Sequence, residues 1–89
     1  MSVEVQELQD ENIIEAILFT MGNSVELRQL ALAIDSDEAS AKEAVERLKK
    51  RYEEEDRAMQ IIELESSYQM CTKAKYYESL IRVAKAPKK

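Results

Sequence analysis

Carboxylates are the most numerous chemically active groups in this 89-residue chain, which has 18 Asp and Glu residues against 13 Lys and Arg residues. Four of them are consecutive, from Glu53 to Asp56. Carboxylate oxygens are the ligands that Mg²⁺ and Ca²⁺ prefer. Such a run normally forms the solvated end of a charged helix, where it attracts a divalent ion only weakly. We therefore predict no metal site there.

The other reactive side chains argue against catalysis. The chain has no histidine, which excludes histidine-based acid–base catalysis, Ser-His-Asp triads and histidine metal sites. Its single cysteine cannot build a structural zinc site, and its single glycine cannot form a phosphate-binding loop. We expect the cysteine, Cys71, to be a small buried hydrophobic residue in a strand. The sequence predicts a protein that is not an enzyme and binds no metal, cofactor or small molecule.

Apolar periodicity predicts the elements that position these residues. A period of 3.6 residues indicates three helices, and a change to a period of two after Asp56 indicates a β-hairpin, followed by a last helix. Gly22 is predicted to end the first helix and Ser36 to cap the third. The predicted elements are a helix from the N-cap Asn12 to Met21, helices over Leu27–Ile34, Asp37–Glu55 and Lys75–Ala84, and strands ending near Leu64 and Thr72 with a turn at Ser66–Ser67.

The predicted order, α-α-α-β-β-α, is that of a winged helix-turn-helix domain, mainly helical with a small β-hairpin. We assign residues 1–10 to a flexible N-terminal lead, residues 11–84 to the winged-helix domain and residues 85–89 to the start of a linker. The predicted apolar stripes are Ile13, Ile14, Ile17, Leu18 and Met21; Leu27, Leu30, Ala31 and Ile34; Ala41, Val45, Leu48 and Tyr52; and Tyr76, Leu80, Val83 and Ala84.

The third predicted helix stands where such a domain carries its DNA-reading helix, but its leading edge is acidic. Asp37, Glu38 and Glu43 occupy the first two turns, with only Lys42 to offset them. Affinity for DNA comes largely from Lys and Arg side chains that neutralise phosphates, so we expect no sequence-specific DNA binding. A DNA-binding transcription regulator of the winged-helix class is the alternative, and an accessory domain of an enzyme is a third interpretation.

Four apolar residues lie away from the centres of the predicted stripes. Phe19 and Leu32 are nearly opposite the stripes of the first and second helices, and Tyr77 and Ile81 are at the edge of the last. An apolar residue in such a position is either buried by a second contact within the domain or part of an interface. A domain this small often gains stability from a partner. We take Phe19, Leu32, Tyr77 and Ile81 as candidate residues of a partner or dimer interface.

Charge is distributed unevenly along the chain. Residues 1–27 hold six acids and no base, whereas residues 73–89 hold six bases and one acid. This asymmetry is either two solvated ends or a means of orienting a partner. A lone cysteine suits a reducing compartment, and neither a signal peptide nor an apolar run of membrane-spanning length is present. We expect a cytoplasmic protein.

Two motifs resemble a known family. Residues 14–22, IEAILFTMG, followed by Val25 and Leu30–Ala31, resemble the opening of segregation and condensation protein B. Residues 68–76, YQMCTKAKY, resemble its second signature, and the AKAP of residues 84–87 resembles its linker into a second domain. The resemblance covers about residues 12–87. The family usually has glycines in the hairpin turn, where this chain has serines.

This resemblance implies a function. Members are non-enzymatic subunits of the bacterial condensin complex, which acts in chromosome condensation and segregation. They form homodimers through the N-terminal domain, bind the kleisin subunit and with it regulate the SMC ATPase at the nucleoid. The expected partners are therefore a second copy, the kleisin and, through it, the ATPase, with no membrane. The chain resembles the N-terminal domain alone, without the second winged-helix domain.

Overall fold

The structure of the chain, a computed structural model, describes residues 3–85; residues 1–2 and 86–89, including most of the expected linker, lie outside the described residues. Its elements are α1 (Val3–Met21), β1 (Val25–Glu26), α2 (Leu27–Ala33), α3 (Glu38–Glu54), β2 (Met59–Leu64), β3 (Ser67–Thr72), a 3₁₀ turn (Ala74–Tyr76) and α4 (Tyr77–Lys85). The winged-helix order is confirmed, with one short strand added between α1 and α2.

Helix α1 starts nine residues before the predicted N-cap, so the prediction that Asn12 caps it is wrong. Residues 3–10, which we expected to be a flexible lead, form the first turns of this helix. Side-chain contacts explain the extension. The Gln6 amide donates to the Asp10 carboxylate at 2.9 Å, and Arg47 of α3 lies within 3.6 Å of Glu7. The helix ends as predicted at Gly22, whose φ of 71° is one that glycine adopts without steric cost.

Helix α3 is capped by Asp37 and not by Ser36 as predicted. The Asp37 carboxylate accepts the backbone N–H of Ser40 at 2.7 Å, an interaction that keeps the pKa of Asp37 below its usual range. A carboxylate at this end of a helix also interacts favourably with the helix dipole. The acidic leading edge of α3 is therefore part of what starts the helix.

The three strands form one antiparallel sheet in the order β1-β3-β2. Val25 of β1 pairs with Tyr68, and Ile61 of β2 pairs with Met70. The two-residue strand β1 was not predicted because it is too short to show a period. Leu64 pairs with Ser67, so the hairpin turn is Glu65–Ser66 and not Ser66–Ser67. Ser66 adopts a φ of 42°, a conformation that glycine would take without strain.

The core lies between α1, α2, α3 and one face of the hairpin. The predicted stripe of α3 is confirmed, since Ala41, Val45, Leu48 and Tyr52 are all buried. Two predictions are wrong: Met21 is 55% exposed, and Cys71 is only half-buried. Cys71 alternates with the buried Tyr68 and Met70 and so lies on the opposite face of the strand. The buried apolar residues are Ile14, Leu18, Val25, Leu30, Ala31, Ile34, Ala41, Ala44, Val45, Leu48, Tyr52, Ile61, Tyr68 and Met70.

Candidate interaction surfaces

A buried carboxylate joins α1 to α3. Glu11 is only 3% exposed, and its two oxygens lie 2.9 Å from Nε of Arg47 and 2.8 Å from a terminal nitrogen of Arg51. Glu7, one turn earlier, lies 3.6 Å from Arg47. Because a buried charge without a partner is strongly destabilising, we infer that Glu11 keeps both arginines at the contact between α1 and α3, where they stay about one third exposed.

The basic residues of α3 are therefore poorly placed to bind DNA. Arg47 and Arg51 are held by Glu11, and Lys50 lies 3.8 Å from Glu54. The turn of the wing, Glu65–Ser66, contains no base, and the first turns of α3 expose carboxylates. A reading helix presents bases at its leading edge, whereas the first turns of α3 present carboxylates and two of its arginines pair with Glu11.

Phe19 and Leu32 are 74% and 81% exposed, so the alternative in which they are buried by a second contact within the domain is wrong. Tyr77 and Ile81 are also about half exposed, at 47% and 49%. These four predicted interface residues lie on three different helices, α1, α2 and α4. Their exposure agrees with a role in an interface, which stays a prediction.

Phe19 borders an open groove of about 410 Å³ between α1, the end of α3 and the hairpin. Asn12 and Ala16 line the α1 side, and Met59 and Met70 line the opposite side. One signal in the sequence points to this groove, namely the position of Phe19 away from the core stripe. Ala16 and Met59 carried no such signal, because only the fold brings the two segments together.

A polar cluster closes one end of this groove. The hydroxyl of Tyr52 donates a hydrogen bond to the Glu15 carboxylate, and Arg57 lies 3.9 Å from the same carboxylate and 5.4 Å from the centre of the Tyr52 ring. Burial and the hydrogen bond to Glu15 raise the pKa of Tyr52 above its usual range. The cluster links α1 to the end of α3 and gives the groove a charged border.

Helix α4 departs most from the prediction. Tyr76, Leu80, Val83 and Ala84 were expected to be its buried side, but none of the residues in the described helix is buried. Leu80 and Val83 are 48% and 78% exposed. The helix makes its main contacts with the 3₁₀ turn before it, which is held by the 2.7 Å contact between Lys75 and Asp56. Periodicity predicts an apolar stripe on this helix, but it does not say what covers the stripe.

The acidic run near the end of α3 is not arranged as a metal site. Glu55 pairs with Arg57 at 2.8 Å and Asp56 with Lys75 at 2.7 Å. Among residues 3–85, no group of three or more acidic or cysteine side chains is positioned to hold a metal ion. In the same part of the chain, no helix has the length and apolarity needed to cross a bilayer.

The fold resembles solved structures of one family. A dimer of an ScpB N-terminal domain complexed with an ScpA peptide matches with a TM-score of 0.77 and 30% identity, over 82% of this chain and 91% of that one. ScpB from Mycobacterium tuberculosis matches with a TM-score of 0.79 over 93% of this chain and 54% of that one. The second match, at 16% identity, supports the fold alone.

Sequence comparison leads to the same family. Segregation and condensation protein B of Lachnoclostridium phytofermentans is 45% identical over 87 residues, 98% of this chain and 45% of the relative. That of Agathobacter rectalis is 54% identical over 77 residues, 85% of this chain and 41% of the relative. The chain thus spans less than half the length of these curated relatives. The model of the family described as segregation and condensation complex subunit ScpB matches residues 12–89, and the chain belongs to that family.

Proposed function

We propose that this chain is a non-enzymatic interaction module of a bacterial SMC–kleisin complex, acting in chromosome condensation and segregation. In this proposal it forms a homodimer and binds the kleisin subunit. Its family and the dimeric, ScpA-peptide-bound state of a structural relative support the proposal. The matched segments make up 45% and 41% of these curated relatives, so the partners of the whole protein are part of this proposal.

The observation that carries the proposal is the exposure of large apolar side chains on a domain whose α3 arginines face inwards. Phe19, Leu32 and Val83 are each at least 74% exposed. Burying such a side chain contributes roughly 1.5–3 kcal/mol before the cost of association. Arg47 and Arg51 instead stabilise the contact between α1 and α3. The surface is suited to protein contacts and not to a phosphate backbone.

Sedimentation equilibrium of this chain at micromolar concentration tests the dimer. We expect a mass of about twice 10.3 kDa, and a strict monomer would contradict the dimer. A pull-down with the kleisin subunit tests the second part, with the full-length protein beside this chain. If only the full-length protein retains the kleisin, the main kleisin site lies outside this domain.

Binding to duplex DNA at low and moderate salt separates this proposal from the transcription-regulator alternative. We expect weak binding at low salt that does not depend on sequence. A tight complex whose affinity falls steeply with salt, and which is lost when Lys49, Lys50 and Arg51 are replaced by glutamine, would favour the alternative.

A further inference from the structure

We propose that the dimer is built by exchange of α4: its apolar face lies in the groove between α1 and β2 of a second copy, and the second copy's α4 lies in the first groove. This inference rests on the proposed homodimer and names the surface that makes it. The described residues provide both halves of the contact, an uncovered helix and an unfilled groove.

Helix α4 needs a cover that its own domain does not provide. Tyr77, Leu80 and Ile81 are between 47% and 49% exposed and share one face of a nine-residue helix. An isolated helix of this length is marginal in water, and most helical stability in proteins comes from packing of an apolar face. The molecule is also elongated, 50 Å by 24 Å by 24 Å, with a radius of gyration of 15.0 Å where a compact domain of this length has about 12 Å.

The groove can receive such a face. Its α1 side is formed by Ala16, a small residue, and Phe19, which is 74% exposed. Its other side includes Met59 and Met70, whose flexible side chains adapt to an incoming surface. A groove of about 410 Å³ lined in this way is of the kind that accepts the apolar anchors of an amphipathic helix.

Charge favours this occupant. Helix α1 contains five acids and no base, whereas the last turn of α4 carries Arg82 and Lys85. With α4 in the groove of a second copy, these two bases would approach Glu15, the acid of α1 that lines the groove. Opposite charges that meet across an interface fix its orientation and speed association.

The occupant is a second copy of this chain and not another protein, because each copy carries both surfaces. A two-fold axis that places one α4 in one groove also places the other α4 in the other groove, so a single pairing covers both. In the structure α4 is not folded back onto its own domain, since no residue of α4 lines its own groove.

Replacing Leu80 by aspartate tests the role of α4. We expect Leu80→Asp to raise the dimer dissociation constant by at least about a hundredfold, because two buried leucines are lost per dimer. The matched control is Ser79→Asp, which adds the same charge at an exposed position on the other side of the helix, and it should leave the dimer nearly unchanged. Sedimentation equilibrium measures both. A dimer that survives Leu80→Asp overturns the exchange.

Cross-linking tests the arrangement directly. In a Cys71→Ser background, one batch carries Ala16→Cys and another carries Leu80→Cys, and the two are mixed and treated with a short bismaleimide. We expect a product of twice the monomer mass from the mixture and much less from either batch alone. A mixture with Ser79→Cys in place of Leu80→Cys is the control and should cross-link poorly.

The outcomes separate this inference from the proposed function. A dimer in sedimentation without the mixed cross-link overturns the exchange and leaves the dimer intact. A third variant with both Ala16→Cys and Leu80→Cys tests folding back: if it cross-links only within single chains, and the mixture does not cross-link, α4 folds onto its own groove and the exchange is overturned. If Leu80→Asp abolishes kleisin binding but not the dimer, the groove or α4 serves the kleisin instead. A strict monomer removes the dimer itself.

Discussion

The contact between α1 and α3 and the exposed helix α4 handle charge and apolar surface in opposite ways. Between α1 and α3, Leu18 and Leu48 are fully buried, and the buried carboxylate of Glu11 pairs with two partly exposed arginines. On α4, Leu80 is half exposed and the charged residues are solvated. A winged helix that reads DNA needs its strongest charges outside. In this domain two arginines of α3 pair with a buried carboxylate and large apolar side chains are exposed, as the proposed role in protein binding requires.

The sharpest test of this contrast is a pair of identical substitutions. Leu48→Ala, in the core, should lower the free energy of unfolding by about 3 kcal/mol through lost burial and a residual cavity. Leu80→Ala, on α4, should lower it by less than about 0.5 kcal/mol when measured below the concentration of dimer formation. Urea denaturation at low protein concentration measures both. Equal losses would mean that α4 packs on its own domain.

Removing the buried carboxylate of Glu11 should give the next largest loss of stability. Glu11→Ala leaves Arg47 and Arg51 without their shared partner and should lower the free energy of unfolding by about 2 kcal/mol. This is less than for a fully enclosed pair, because both arginines keep about a third of their surface in water. Glu7→Ala is the control, since Glu7 is more exposed and lies 3.6 Å from Arg47, and it should cost under about 0.5 kcal/mol. Similar losses of stability in the two variants would contradict the conclusion that Glu11 is the main partner of Arg47 and Arg51.

The polar end of the groove gives a pH-dependent prediction. Tyr52→Phe removes the hydrogen bond to Glu15 and should lower the free energy of unfolding by about 1 kcal/mol at neutral pH. The pKa of Tyr52 is raised in the folded state, by burial and by Glu15, so its contribution is present below about pH 10 and is lost as pH rises further. Thermal unfolding of both proteins between pH 8 and pH 11 should show the gap closing at high pH. A constant gap would show that the hydroxyl has an ordinary pKa.

The smallest effect concerns the start of α4. Asp56→Asn weakens the contact with Lys75 but keeps a residue type that tolerates the φ of 51° at this position. We expect little change in global stability and faster amide hydrogen exchange over residues 77–85. The Lys75 contact lowers the pKa of Asp56, so in the unmodified protein this protection should persist at pH 4 and decline as pH falls through that lowered pKa. Unchanged exchange would mean that Lys75 does not hold the helix.

The sequence predicts what periodicity and local chemistry determine. The stripe of α3 and the end of α1 at Gly22 follow from spacing and from backbone preference, and both are confirmed. The start of α1 does not, because residues 3–11 owe their helix in part to arginines more than thirty residues away. Strand β1 is invisible for a related reason, since its two residues are defined only by pairing with β3.

The candidate site was predicted in part for the same reasons. Phe19 and Leu32 lie opposite the apolar stripes of their helices, and this position identifies them as candidate interface residues. The stripe of α4 predicts a covered face, but a stripe does not indicate whether the cover belongs to the same chain. The groove could not be predicted, because its lining residues Ala16 and Met59 are distant in sequence and only the fold brings them together.

The turn of the hairpin is fastened to the rest of the domain. The backbone N–H of Leu27 donates to the carbonyl of Ser66 at 2.9 Å, and β3 is the central strand of the sheet. The wing therefore cannot move independently of the domain, because a shift of its turn would break the hydrogen bond to the first residue of α2. An inserted residue at the tip would disturb the start of α2, so this wing tolerates changes of side chain better than changes of length.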